Sequence, residues 1–123
     1  MADKYNRSIY QSAARTATPT AIQVDDDNVQ GIQVIIDVTA SAATPSVVPT
    51  IDGFDPLSEK WYNLLTGSAI TGTSTTVLRI HPELTAAANL TAQDFLPEVY
   101  RVVMTHADAD SITYTVGINS TSM

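Results

Sequence analysis

Gly31-Ile32-Gln33-Val34-Ile35-Ile36-Asp37-Val38-Thr39 decides the fold. Ile32, Val34, Ile36 and Val38 alternate with Gln33, Ile35, Asp37 and Thr39. A period of two over eight residues makes a strand with one strongly apolar face. Downstream, an Ala/Ser loop closed by Pro45 leads to a second strand, Ser46 to Phe54. There Val47 and Ile51 share one face, and Val48, Thr50 and Phe54 the other. Pro49 has no N–H to give a ladder, which predicts an edge or bulged strand. Asp55-Pro56-Leu57-Ser58 reads as a turn.

The pattern continues to the end of the chain. Lys60 to Thr66 is a third strand ended by Gly67, and Thr75 to His81 a fourth, stopped by Pro82. Leu84 to Asp94 is Ala-rich and is read as holding one helical turn. Tyr100, Val102 and Met104 alternate on one segment, and Ile112, Tyr114, Val116 and Ile118 on the next. With Ala107 to Asp110 between them, they are predicted to form a hairpin. Upstream, residues 1–30 are polar and Ala/Thr-rich, with Tyr5, Ile9 and Tyr10 as their large apolar groups. They are read as an extended arm that packs on its own domain or on a neighbouring subunit. Six or more short strands with almost no helical periodicity predict an all-β fold. The expected architecture is a small antiparallel β-sandwich, immunoglobulin-like or jelly-roll-like, over residues 31–123, with the arm in front of it.

Composition narrows the function. The 123 residues include 17 Thr, 15 Ala and 10 Ser, and only 15% are charged. About 25% is usual. Ile, Leu, Val and Phe make up 30 of the 123 residues, enough to build a core. The net charge is −7, with six scattered Lys and Arg, which argues against a nucleic-acid partner. No run of about 18 apolar residues exists for a membrane-spanning helix, and Met1 to Tyr10 holds no apolar segment of a secretory leader. With no cysteine there are no disulfides, thiolate metal sites or Cys nucleophile. The charges are unevenly placed. Val38–Ile51, Trp61–Leu78 and Ser111–Met123 contain none. Surfaces facing water normally carry about 25–35% charged residues. Three neutral stretches in so short a chain point to surfaces that meet other subunits.

Signals for chemistry are sparse. His81 precedes a proline at a strand end and His106 opens a loop; both read as hydrogen-bonded loop residues. Gly-x-Ser-x-Gly, phosphate loops and His-x-x-x-His pairs are absent, so no enzyme and no cofactor is expected. Asp25, Asp26, Asp27 and Asn28, and the pair Asp108 and Asp110, are hard oxygen ligands of the kind calcium takes. Lacking the Asp-x-Asp-x-Asp-Gly pattern, they read as solvated acidic turns, and no metal is expected. Asn6, Asn89 and Asn119 open Asn-x-Ser/Thr triplets that Ser and Thr abundance explains. Trp61 and Tyr62 are adjacent on one strand, so their rings point to opposite sides. One is expected to fill the core. The other is read as a lid over that core, with an exposed anchor for a sugar or a protein as the alternative.

Three segments carry a resemblance. Asn6-Arg7-Ser8-Ile9-Tyr10 with Ala14-Arg15-Thr16-Ala17-Thr18-Pro19 is similar to small structural proteins of tailed-bacteriophage morphogenesis regions. So are Val34-Ile35-Ile36-Asp37-Val38-Thr39-Ala40 and Thr105-His106-Ala107-Asp108-Ala109-Asp110-Ser111-Ile112-Thr113-Tyr114-Thr115-Val116-Gly117. Pro49 departs from the large apolar residue expected in that pattern. The resemblance implies a virion protein without chemistry, in the manner of head decoration (cement) proteins. These are made in the host cytoplasm and often bind the major capsid protein of the shell as trimers. A tail or neck component is the alternative, as is a carbohydrate-binding adhesion module using Trp61 or Tyr62. On this reading the arm residues Tyr5, Arg7, Ile9, Tyr10 and Arg15 contact the capsid or the neighbouring subunit. The arm is then expected to be removable, up to about Thr20, without unfolding the domain.

Overall fold

A computed structural model describes residues 4–26 and 28–121. Asp27, among the acidic candidates above, lies outside the described residues, as do the ends of the expected arm (1–3) and domain (122–123). Among the described residues nine strands run in chain order: β1 (Lys4–Arg15), β2 (Ile22–Asp25), β3 (Gly31–Ser41), β4 (Val47–Asp55), β5 (Lys60–Thr66), β6 (Ser74–Ile80), β7 (Thr91–Ala92), β8 (Val99–His106) and β9 (Ile112–Thr121). They form two sheets, ordered β1-β9-β3-β6-β7 and β2-β8-β4-β5. Every pairing is antiparallel except β6 with β7. The fold is therefore the expected all-β sandwich.

The opening stretch sits where its pattern places it. β3 lies between β9 and β6, with Ile32, Val34, Ile36 and Val38 buried and the alternate residues partly exposed. Facing them across the sandwich, β4 turns in Val47, Pro49, Ile51 and Gly53, and β8 turns in Tyr100, Val102 and Met104. β9 adds Ile112, Tyr114, Val116 and Ile118 from the five-stranded sheet. Burying such side chains contributes about 1.5–3 kcal/mol each, the main force holding the sheets together.

Four expectations need correction. First, β8 and β9 are not a hairpin: β8 pairs with β2 and β4, whereas β9 pairs with β1 and β3. The loop between them crosses from one sheet to the other. Among the described residues, β4 and β5 form the one hairpin of sequential strands, closed by Glu59 at φ 58°. Second, Leu84 to Asp94 holds turns and the two-residue β7, with no helix. Third, β4 is interior, between β8 and β5. Pro49 is tolerated because it lies just beyond the β5 pairing, which ends at Thr50↔Thr66. Its carbonyl still accepts from Gly67 N at 2.8 Å. The register shift of the β4–β5 pair lies between Ile51 and Asp52, but its extra residue is Leu64 of β5, so the strand that carries Pro49 is not the bulged one.

The fourth concerns residues 1–30. They pack on their own domain, one of the two placements expected, but as strands of the sandwich rather than as an arm in front of it: β1 is the edge of one sheet and β2 the edge of the other. Lys4 pairs with Thr121, and Arg15 with Ile112. Register shifts between Ser8 and Tyr10, and between Tyr10 and Ala13, interrupt the alternation. A bulge places consecutive side chains out of strict period. Ile9 and Tyr10 are thus both buried, at 7% and 8% exposure. Val24 of β2 is fully buried as well.

Candidate interaction surfaces

The five arm residues divide into two groups. Ile9 and Tyr10 belong to the core, and the Tyr10 hydroxyl donates to Thr20 O at 2.6 Å. Burial raises the Tyr10 pKa, partly opposed by the Arg15 charge. Arg15 is held inside its own chain. Its guanidinium donates to Gln11 O (2.7 Å), Ala13 O (3.1 Å) and Tyr114 O (2.8 Å). It also lies 4.5 Å from the Tyr114 ring centroid and 5.2 Å from that of Tyr10. Tyr5 and Arg7 remain at the surface. Tyr5 is 49% exposed, and Arg7 reaches Asp26 at 3.8 Å in an exposed ion pair. The structure does not gather the five residues on one face.

The outer face of the five-stranded sheet is nearly neutral. It carries Gln33, Ile35, Asp37 and Thr39 of β3, Thr113 and Thr115 of β9, and Val77 and Arg79 of β6. Asp37 accepts from Thr75 Oγ1 at 2.9 Å. Beside it, the bulged β1 and β9 bound a shallow groove lined by Arg7, Gln11, Ile35, Thr115 and Gly117. The neutral stretch Ser111–Met123 explains this face, because β9 runs through the middle of the sheet.

The four-stranded sheet carries the aromatic pair. Trp61 lies directly across from Phe54, with ring centroids 4.9 Å apart and planes tilted by 54°. Arg101 places its Cζ 4.2 Å over the indole and its Nε 3.2 Å from Asp52 Oδ2. Asp52 and Arg101 are themselves cross-strand partners. Trp61 therefore covers an ion pair on the outer face. Tyr62 points the other way, over Gly53, and is 43% exposed. A Cβ at Gly53 would stand 2.7 Å from Tyr62 Cζ and 2.8 Å from Pro97 Cγ, so the ring rests on bare backbone. Tyr62 joins Phe54, Pro56, Phe95 and Pro97 in a cleft of about 580 Å³ with Asp55 and Glu98 at its rim. Burial raises the Tyr62 pKa, and Asp94 and Asp55 raise it further. The rings do point to opposite sides, but neither fills the core. Leu65 is the β5 residue that does so. Phe95, 66% exposed, joins this corner from a segment whose sequence showed no aromatic pattern.

The polar candidates serve turns and packing. The His106 ring and the Tyr114 hydroxyl share a hydrogen bond of 3.0 Å. Burial lowers the His106 pKa, Asp108 raises it and Arg15 lowers it. Burial pushes the Tyr114 hydroxyl up to about 12. His81 Nδ1 accepts from Glu83 N at 3.0 Å. Asp108 accepts from Asp110 N, and Asp110 from the N and Oγ1 of Thr44, so these carboxylates tie loops together. Among the described residues, no three His, Asp or Glu side chains converge to hold a metal ion.

No family model matches the chain, and no curated protein matches it. Among solved structures, all of it superposes on part of a chain of infectious bursal disease virus Gx strain, with a TM-score of 0.53 and 8% identity. A chain of the Gt strain of that virus matches over 99% of this one, with a TM-score of 0.42 and 10% identity. The chain spans 33% and 31% of the length of those two chains. At such identity the likeness is one of fold.

Proposed function

We propose that this chain is a non-enzymatic structural component of a virion, a decoration (cement) protein that binds the outer face of the head shell. The observation that carries the reading is the distribution of charge. In a molecule of net charge −7, the outward strand faces present Thr, Gln, Asn, Ile and Val with few charges, of which Asp37 is bonded to Thr75 and Asp52 is paired with Arg101. Such faces suit contact with other protein surfaces more than exposure to water. A fold shared with part of a chain in a virus structure supports the same reading, as does the resemblance of three segments to tailed-phage structural proteins. The partners in this reading are the major capsid protein and further copies of the chain, in the trimer that the resemblance implies. Its mechanism is mass action. A protein that binds the assembled shell and not the separated subunits stabilises assembly by RT ln(1 + [L]/Kd), about 2.7 kcal/mol at a hundredfold excess over Kd.

The test is co-sedimentation of the purified chain with heads that lack it, followed by heating. Saturable binding with a higher temperature of head disruption is the expected result. Binding to tails alone moves the protein to the tail or neck, and binding to neither overturns the virion reading. The contact residues within β1 are Tyr5 and Arg7, so Tyr5→Ala with Arg7→Glu is expected to weaken head binding in a chain that stays folded.

A further inference from the structure

Sheet edges need guarding, because an open row of N–H and C=O groups pairs with any strand that fits. Three of the four edges here are guarded. β1 has two register shifts and carries Arg7 and Arg15; β2 has four residues; β7 has two. β5 is less guarded. It is seven residues long, its one register shift falls at Leu64, beyond Asn63, its first residue Lys60 is its only charge, and it begins the neutral stretch Trp61–Leu78. Among the described residues, no strand pairs with its outer side.

The hydrogen-bonding direction of that edge follows from two ends. Pro49 O accepts from Gly67 N and Asp55 O from Glu59 N, so both residues point toward β5. Directions alternate along an antiparallel strand, so Pro49, Ile51, Gly53 and Asp55 all face β5. Their register partners Leu65, Tyr62 and Lys60 face back toward β4. Trp61, Asn63 and Thr66 must then direct their backbone groups outward. Thr66 confirms this, since its carbonyl accepts from Asn89 Nδ2 at 3.0 Å, outside the sheet. That bond closes one end of the edge and leaves Trp61 and Asn63 open.

We propose that β5 is a self-pairing edge, joining two copies of this chain antiparallel about a two-fold axis at Tyr62. In this register Trp61 of one copy stands opposite Asn63 of the other. Each such pair exchanges two N–H···O bonds, so the contact forms four. Tyr62 faces Tyr62 as a non-hydrogen-bonded pair, with Cα atoms about 4.5 Å apart. An isologous contact needs a strand that is complementary to itself, and this one is. Like net charges of −7 oppose the contact, and Asp94 and Asp55 lie near Tyr62, but β5 limits the repulsion by carrying no acidic side chain of its own.

The inference is independent of the virion reading, and its tests need no capsid. Light scattering of the full chain over a concentration series is expected to give twice the monomer mass at the upper end. Amide hydrogen exchange on the unmodified chain is expected to show Trp61 and Asn63 gaining at least tenfold protection as the dimer fills. Tyr62→Cys, introduced into a chain without cysteine, is expected to form a reducible dimer on mild oxidation, because facing non-hydrogen-bonded positions match disulfide spacing. Thr115→Cys, on the other sheet, is the control. Trp61 and Asn63 amides that exchange equally fast at every concentration overturn the proposal, whatever the mass. So does a Tyr62→Cys chain that cross-links no faster than the control. A trimer with those amides open leaves the capsid reading standing and removes this one.

Discussion

Three backbone carbonyls converge on Arg15, and two tyrosine rings flank it. A guanidinium has five donors in a fixed fork, so one residue fastens the end of β1 to β9. Replacement by Met keeps the stem and removes the donors. Arg15→Met is expected to cost about 1–3 kcal/mol, since hydrogen bonds to a charged group are the stronger kind; urea unfolding measures it. The tyrosines make a second prediction. Burial raises the pKa of both Tyr100 and Tyr114, the latter to about 12 from 10.0. A raised folded pKa keeps its stabilisation below pH 10 and loses it as pH climbs through the folded value. Phenolate absorbance from these two rings is expected to appear together with loss of β-sheet circular dichroism in that alkaline window. A separate, earlier ionisation of both rings would contradict it. His106 works in the other direction: its folded pKa lies below 6.5, so its share of stability is lost as pH falls below that value. Sequence marked Arg15 as a cation in an arm. It had no means to show that Tyr114, ninety-nine positions away, would take up its charge.

At the scale of elements, β1 is the instructive case. A strict period of two would put either Ile9 or Tyr10 outward, so the segment looked only weakly periodic. The bulge turns both inward. Ile9→Ala is therefore expected to cost about 2–5 kcal/mol, the range for deleting a buried Ile side chain. A cost near zero by thermal or urea unfolding would mean that β1 is a detachable arm after all. Removal of residues up to Thr20 takes a whole edge strand and two core side chains, and is expected to unfold the domain. The β4–β5 hairpin offers a gain instead. Glu59 closes it at φ 58°, a left-handed conformation that costs a side-chain-bearing residue roughly 1–2 kcal/mol. Glu59→Gly is expected to stabilise by up to about 1 kcal/mol in the same measurement, the added chain entropy of glycine offsetting part of the relief. Strand positions were readable because alternation is local. Partners were not: the loop 107–111 suits a tight hairpin and a sheet-to-sheet crossing equally well, and only packing of Tyr100 against the opposite layer separates them.

For the molecule as a whole, charge and topology set the behaviour. A surface of net charge −7 that associates through neutral strands should respond to salt in a characteristic way. Ions screen the general repulsion and leave hydrogen bonds along β5 in place. Raising salt from about 0.05 to 0.5 M is expected to tighten self-association in sedimentation equilibrium, where a contact held by ion pairs would loosen. Topology acts earlier in the life of the protein. The first strand pairs with the last, Lys4 with Thr121 and Arg15 with Ile112. At a synthesis rate of roughly 5–20 residues per second, β1 waits roughly 5–20 s for its partner to be made. The cations Arg7 and Arg15 help keep that waiting strand from templating a neighbour on the same polysome. The positive charge of β1 then has a use before the sandwich exists, as protection for a nascent chain that cannot close this sheet until β9 leaves the ribosome.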